Sequence, residues 1–373
     1  NDAKLRQVLI DEITLHQTAS NNNSAVATCH GACFPSEQEV DEDGATFCVV
    51  MELLRGPTLE KAVESPVFKS MSPAQRTEFA AKVGLTIAQV LLSLQDQSDQ
   101  AIYHLDIKPA NMAFTSDDLK SMKVFDFGLA RARAALTNSI GGSMIVDKNT
   151  GTQNYIDPQI LLNGTASRTS DVFACGGVLY FVAMGGKHPS FGANVSNDEA
   201  REKWKRGELP AIPSDGSVDP RIAAIINACW RFDAKKRPLV PQLIGMLIQI
   251  VAPDTNSSSN NTSATAATAT KATASAAATT SSSGDSNNAT DGDIHAAAGA
   301  TMRMIQQAQQ RGGADVFVAT MFTQLMALLA KLAERPTNVY NIGTVQGNMT
   351  VNQAAVDNSV HHNTTTTTSS SAA

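Results

Sequence analysis

Two short segments of this sequence concentrate side chains suited to ionic chemistry. Tyr103-His-Leu-Asp-Ile-Lys-Pro-Ala-Asn-Met-Ala-Phe114 sets His104, Asp106, Lys108 and Asn111 close together, and Val124-Phe-Asp-Phe-Gly-Leu-Ala-Arg131 places Asp126 between two phenylalanines. Carboxylates, an ammonium and an amide gathered at one point can hold a cation, an anion and a proton. Taken one by one they read more plainly, as solvated turn aspartates and a satisfied core histidine, so the set carries the argument. Other chemistries are disfavoured. The five cysteines, Cys29, Cys33, Cys48, Cys175 and Cys229, are odd in number, spread out and without a CxxC pair, which indicates neither a disulfide framework nor a zinc site. His361 and His362 alone make a poor metal site.

The elements that must position these side chains are legible in outline. Leu5, Val8, Leu9, Ile13 and Leu15 recur at roughly helical spacing over Asn1 to His16, followed by a polar loop, Ser20 to Ser24. Val26 to Phe34 and Thr46 to Leu54 read as strands that can pair around the acidic turn Asp41 to Gly44. Ser72-Pro73-Ala74-Gln75 predicts a helix start, with Ser72 as N-cap, Pro73 at the first position and Gln75 completing a capping box. Phe79, Val83, Ile87, Leu91 and Leu94 then form one apolar stripe. Asp171 to Met184 is apolar all round, as a helix buried at a domain centre should be.

At 373 residues the chain has room for one sizeable core plus extras. Charged residues make up 17% and hydrophobic ones 42%, a mixture of folded chain and uncharged polar padding. The sum of 29 basic and 35 acidic residues, net -6, argues against a general nucleic-acid binder. The apolar run Phe173 to Gly186 is shorter than the ~20 residues of a membrane span, and the polar amino terminus has no apolar signal region. A soluble protein of a reducing cytoplasm, with neither nucleic acid nor membrane as partner, is the expectation.

Both ionic segments resemble the catalytic loop and the metal-binding loop of eukaryotic protein kinases. The series continues in order: Gly151 to Pro158 looks like the end of an activation segment, Asp171 matches the family's structural aspartate, and Cys229-Trp230 with Arg237-Pro238 resemble the tyrosine-kinase-like branch. The resemblance covers residues 1 to about 250. It implies an α+β, bilobal fold, with a partial upper lobe over 1–56 beginning at helix C and a helical lower lobe over 57–252. It implies phosphoryl transfer from Mg-ATP to a hydroxyl of a protein substrate, which needs positioning and charge neutralisation more than covalent help. On it, Asp106 orients the hydroxyl and accepts its proton, Lys108 sits on the γ-phosphate, and Asn111 and Asp126 supply hard oxygens to Mg²⁺. Lys108 within Asp-Ile-Lys-Pro-Ala-Asn is the serine/threonine form of the loop. Met51 falls at the gatekeeper position behind the adenine, Glu52 to Leu54 form the hinge, and Glu12 fits the helix-C glutamate; its plain reading is an exposed helix acid.

Departures from the family pattern qualify this. No glycine-rich loop and no Val-Ala-Ile-Lys strand precede Glu12, and Lys4 is too close along the same helix to serve. The chain is therefore either amino-terminally incomplete or a pseudokinase, and retention of Asp106, Lys108, Asn111 and Asp126 favours the former. Leu105 stands where most kinases have arginine, which removes the usual receptor for an activation-loop phosphate. Asp157-Pro158-Gln159 replaces Ala-Pro-Glu, so Gln159 is expected to hydrogen-bond Arg237 without an ion pair, leaving a weaker loop anchor. Thr137, Ser139, Ser143, Thr150 and Thr152 are candidate phosphorylation sites.

Composition breaks at Pro253, and 253–300 reads as a disordered Ser/Thr/Ala/Asn linker. Phe317, Met321, Leu325, Leu328, Leu329 and Leu332 share one face and predict an amphipathic helix over 301–335 that wants an apolar partner. The uncharged segment Pro336 to Val356 has the signature of cross-β stacking. Through Asn338-Val-Tyr-Asn341 and Val345-Gln346-Gly347-Asn348 it also resembles the RIP homotypic interaction motif of receptor-interacting protein kinases, lacking the apolar residue between Gln and Gly. Over the polar tail, 336–373, this implies an amyloid-type homo-oligomer, and with it a kinase-shaped signalling scaffold as the alternative function.

Overall fold

The computed structural model describes residues 2–33, 48–95, 100–134, 143–148, 150–192, 195–252, 291–311 and 316–333. The chain opens with α1 (Asp2–Asn22) and the antiparallel pair β1 (Cys29–Cys33) and β2 (Cys48–Met51). Next come α2 (Leu59–Ala62), α3 (Pro66–Lys69) and α4 (Pro73–Gln95), then the short strands β3 (Gln100–Tyr103), β4 (Met112–Phe114), β5 (Met122–Val124) and β6 (Arg131–Ala134). β7 (Met144–Ile145), α5 (Pro158–Asn163) and β8 (Thr165–Ala166) lead to α6 (Ser170–Ala183), α7 (Asn197–Lys205), α8 (Pro220–Cys229) and α9 (Val240–Val251). Two more helices follow, α10 (Asp291–Arg311) and α11 (Val316–Ala333). The strands pair in twos, β3 with β6, β4 with β5 and β7 with β8, all antiparallel, so the architecture is α+β with a helical centre.

α4 forms that centre. Its cap is the one the sequence calls for: Gln75 N–H donates to Ser72 Oγ (3.3 Å) while Ser72 N–H donates to Gln75 Oε1 (2.8 Å). From Phe79 onward nearly every side chain is buried, because α4 packs against α6 on one side and α9 on the other. Gly84 permits both contacts: a Cβ there would lie 3.0 Å from methyl carbons of Leu179 and of Leu247. Among the described residues α4 is the one helix long and apolar enough to cross a membrane, and 89% of its apolar window is buried in this core.

Four expectations need correction. α1 extends to Asn22 through the segment read as a loop, with Thr14, Thr18 and Asn22 bonding back to carbonyls four residues earlier. The strands are shorter than read, and the acidic turn lies outside the described residues. The linker does not run to 300, and 301–335 is not one helix. α10 begins at Asp291 in an alanine-rich stretch, where low apolar content conceals high helix propensity. It approaches α9 closely: Thr301 Oγ1 donates to Pro241 O (2.7 Å), and Met304 lies against Gly245, where α9 has no Cβ. Gly312 and Gly313, poor helix formers, fall between α10 and α11. The side chains of Phe317 and Leu332 and the whole segment from Pro336 to Ala373, with its stacking motif, lie outside the described residues.

Candidate active site

The catalytic-loop segment leaves β3 and reaches β4 through a single turn of 3₁₀-helix, Pro109–Asn111. Its path is fixed from below by Asp171, buried near the start of α6, which accepts from His104 N (2.9 Å) and Leu105 N (2.8 Å). Leu105 takes a left-handed conformation (φ 64°) between them. Burial raises the Asp171 carboxyl to about 6, against the pull of those two N–H donors.

That turn gathers the predicted residues. Asp106 Oδ2 accepts from Lys108 Nζ (2.7 Å) and Asn111 Nδ2 (2.9 Å), and Oδ1 accepts from Thr152 Oγ1 (2.7 Å). Lys108 Nζ also donates to Thr152 Oγ1 (3.0 Å). Asn111 Nδ2 donates a second bond to Asp106 O (3.0 Å), which leaves its Oδ1 as the atom with cation-ligand chemistry. Burial pushes the Asp106 carboxyl up, but the bonds from Lys108, Thr152 and Asn111 outweigh it and hold the group below its ordinary value. Asp106 is thus an anion in a nearly dry setting, 6% exposed.

Asp126 follows β5, also in a left-handed conformation (φ 68°), with Oδ1 accepting from Gly128 N (3.2 Å). A non-glycine residue held there is conformationally costly and marks a site fixed by its surroundings. The clamp is Phe127, fully buried with its ring centroid 4.8 Å from His16 of α1 and 4.8 Å from His104. Glu12 lies one turn before His16 on the same face of α1, and a Cβ on Gly128 would sit 3.6 Å from its Oε2. Burial, then the Asp126 charge, raises the Glu12 carboxyl. No ion pair to Glu12 occurs among the described residues. The nearness of two carboxylates is a local excess of negative charge that a cation would relieve, and Asn111 Oδ1 with Asp126 suits Mg²⁺, which takes few protein oxygens and completes its shell from phosphate and water.

The hinge residues are placed less richly. Met51 ends β2 with 40% of its side chain exposed, and Leu54 is half-buried. Glu52 is held by Lys123 Nζ (2.6 Å) and Thr28 Oγ1 (2.9 Å), so its side chain is occupied in securing β2 to β5. Burial raises its carboxyl, but these partners win and lower it.

The activation segment differs most from expectation. Gln159 does not bond Arg237; its Nε2 donates to Phe232 O (3.1 Å). The buried ion pair is made instead by Asp157, whose two oxygens accept from Arg237 Nη1 (2.6 Å) and Nη2 (2.7 Å), with both side chains fully buried. Asp157 also accepts from Ser170 Oγ (2.6 Å) and caps α5 through Gln159 N (2.9 Å). The anchor is therefore relocated two residues upstream rather than weakened. Of the candidate phosphorylation sites, Thr150 is buried and Thr152 is engaged with Asp106 and Lys108; Thr137 and Ser139 lie outside the described residues. Leu105 joins Tyr103, Ile156, Ile160 and Ala166 in a small apolar cluster that Met144 and Val146 also contact, so apolar contact ties the segment down where an arginine would have bound phosphate.

Sequence reading missed His16, Thr152 and Asp157 as site residues. His16 had a signal, its place four residues from Glu12 and so on the same helix face; Thr152 and Asp157 had none, since their partners are distant in sequence.

A family model for the protein kinase domain matches residues 1–246. Similar proteins include the probable serine/threonine-protein kinase PknB of Corynebacterium glutamicum, 34% identical over 191 residues (51% of this chain, 27% of that protein). Another is the probable serine/threonine-protein kinase nek2 of Dictyostelium discoideum, 26% identical over 246 residues (65% of this chain, 52% of that protein). A putative serine/threonine-protein kinase/receptor of Acanthamoeba polyphaga mimivirus is 28% identical over 232 residues (61% of this chain, 12% of that protein). The matched stretch thus spans about half or less of these relatives. With about two thirds of its length matched and the two ionic segments joined side by side, the chain belongs to the protein kinase family.

Proposed function

We propose that this protein is a serine/threonine kinase that transfers the γ-phosphoryl of Mg-ATP to a protein hydroxyl in cytoplasmic signalling. The observation that carries the reading is the closed network of Asp106, Lys108, Asn111 and Thr152 beside Asp126. Asp106, kept ionised, orients the substrate hydroxyl and receives its proton. Lys108, already poised at Asp106, turns its ammonium to the γ-phosphate and neutralises charge as it develops. Asn111 and Asp126 would hold Mg²⁺, which when bound neutralises phosphate charge and orients the triphosphate. Glu12 and His16 keep α1 against the Asp126–Phe127–Gly128 turn. Met51 and the Glu52–Leu54 segment border the adenine side. A cleft of about 290 Å³ lined by Ile156, Leu161, Pro189, Phe191, Val195 and Trp204 lies on the activation-segment side and suits an apolar residue of a protein substrate.

A pseudokinase that serves as a signalling scaffold is the alternative reading. Against it stands the intact ionic network, which a non-catalytic scaffold has no need to keep. The deciding experiment measures γ-phosphoryl transfer to a serine-containing peptide by the full-length protein, beside its Asp106→Asn variant. Loss of a positioned base costs about 10²- to 10⁴-fold; equal rates in the two proteins would refute catalysis.

A further inference from the structure

α10 and α11 form a hairpin that packs on the kinase helices α9 and α4. Its apolar faces are ordinary: Ile294, Ala298 and Ile305 from α10, and Val318, Met321, Phe322, Leu325 and Leu329 from α11, are all buried. Between Phe322 and Leu325 stands one polar residue with two long-range partners. Gln324 Oε1 accepts from Gln89 Nε2 of α4 (2.8 Å), and Gln324 Nε2 donates to Ser24 Oγ (3.0 Å).

Those partners belong to a larger network. Gln89 Nε2 also donates to Asn23 Oδ1 (3.2 Å), and Asn23 Nδ2 donates to Gln89 O (3.0 Å) and Ser93 Oγ (2.8 Å). Asn23 Oδ1 accepts from Ala25 N as well (2.8 Å). Asn23 and Gln89 are 5% and 4% exposed, so each of these bonds satisfies a group that would otherwise be buried and unpaired.

The position of the network gives it consequence. Asn23 and Ser24 are the first residues beyond α1, at the end from which its direction is set. The other anchors of α1 also lie in its second half: Ile13, His16 and Ala19 are buried, His16 Nε2 is bonded to Ala27 O (2.8 Å), and Ser20 Oγ accepts from Cys29 N (3.4 Å). This helix carries Glu12 and His16 to the Asp126 turn.

We infer that Gln324 is a positioning residue and that the carboxy-terminal hairpin is a built-in brace for α1, joining residues some 300 positions away to the pivot of the helix that closes the active site. What α1 does for catalysis rests on the kinase reading; the brace itself does not, because it is a mechanical coupling measurable without nucleotide.

Hydrogen–deuterium exchange on the full chain tests it. Gln324→Leu keeps the volume and removes both bonds, and the amides of residues 14–28 should exchange about tenfold faster, while those of α8, remote from the network, keep their rate. Gln324→Glu should restore slow exchange, since its carboxylate accepts from both the Gln89 amide and the Ser24 hydroxyl. Unchanged exchange at 14–28 in Gln324→Leu would overturn the inference. So would an equal acceleration of 14–28 and α8, which would mean general destabilisation, or a failure of Gln324→Glu to rescue. Asp106→Asn alters none of these readouts, so a failed brace and a failed kinase assignment are told apart.

Discussion

The two sides of the cleft are held in opposite ways. On the catalytic-loop side Asp106 accepts three side-chain hydrogen bonds while almost buried, Asp171 fixes the loop from beneath, and Asp157 and Arg237 lock the segment that carries Thr152. On the β2 side Val49, Val50 and Met51 are 37%, 46% and 40% exposed, Leu53 is 79% exposed, and Glu12 feels the charge of the Asp126 carboxylate. The first is tied together by its own hydrogen bonds, which orient its polar groups before any ligand arrives. The second is an apolar edge whose binding energy comes from being covered. The catalytic-loop side is bonded internally, and the β2 side is open.

The contrast is most easily broken at Asp157. Asp157→Ala leaves Arg237 charged and buried without its partner, and should cost about 3–5 kcal/mol in chemical denaturation. Gln159 and Arg237 both bond Phe232 O, so a carboxylate at 159 lies within reach of the guanidinium. Asp157→Ala combined with Gln159→Glu should recover much of the loss. If the single variant melts like the parent, the relocated anchor is not what secures the loop.

A pH profile sharpens the comparison at intermediate size. Burial lowers His104 from 6.5 to about 4, and its Nδ1 accepts from Asp106 N (3.4 Å), so the fold selects the neutral ring. Between those values the unfolded chain binds a proton that the fold refuses. The contribution is therefore complete above pH 6.5 and is lost as pH falls toward 4, in total about 3 kcal/mol at about 1.4 kcal/mol per pH unit. Asp171, raised to about 6, has the opposite sign: its contribution is present below the ordinary aspartate range and is lost as pH rises through 6. The two partly cancel in the absolute slope, so the signature is the difference between the parent and His104→Phe, measured at pH 7 and pH 5. Parallel profiles would show that His104 is not titrating in this window.

The smallest effect belongs to the open side. Leu53→Ser should change stability by no more than about 0.5 kcal/mol, since its side chain is already in water, yet weaken adenine-nucleotide affinity if the hinge assignment holds. A stability loss comparable with that of Asp157→Ala would erase the distinction between the two sides.

Legibility follows the same division. α4 was readable because its cap and stripe are local, and α6 because an all-apolar helix has only one place to go. The linker boundary failed because alanine counts as padding in composition and as the best helix former in structure. Thr152 read as a candidate phosphorylation site because nothing near it in sequence reveals a partner 46 residues away.

By itself the sequence determined which groups meet in the catalytic loop: the tight turn from His104 to Asn111 leaves Asp106, Lys108 and Asn111 little choice but to converge. Tertiary structure alone decided that the Arg237 charge is answered by Asp157 instead of Gln159, and that a glutamine in α11 reaches the pivot of α1. Local propensity acts over a few residues, whereas a buried charge or amide takes whichever partner the packing of distant helices brings within 3 Å.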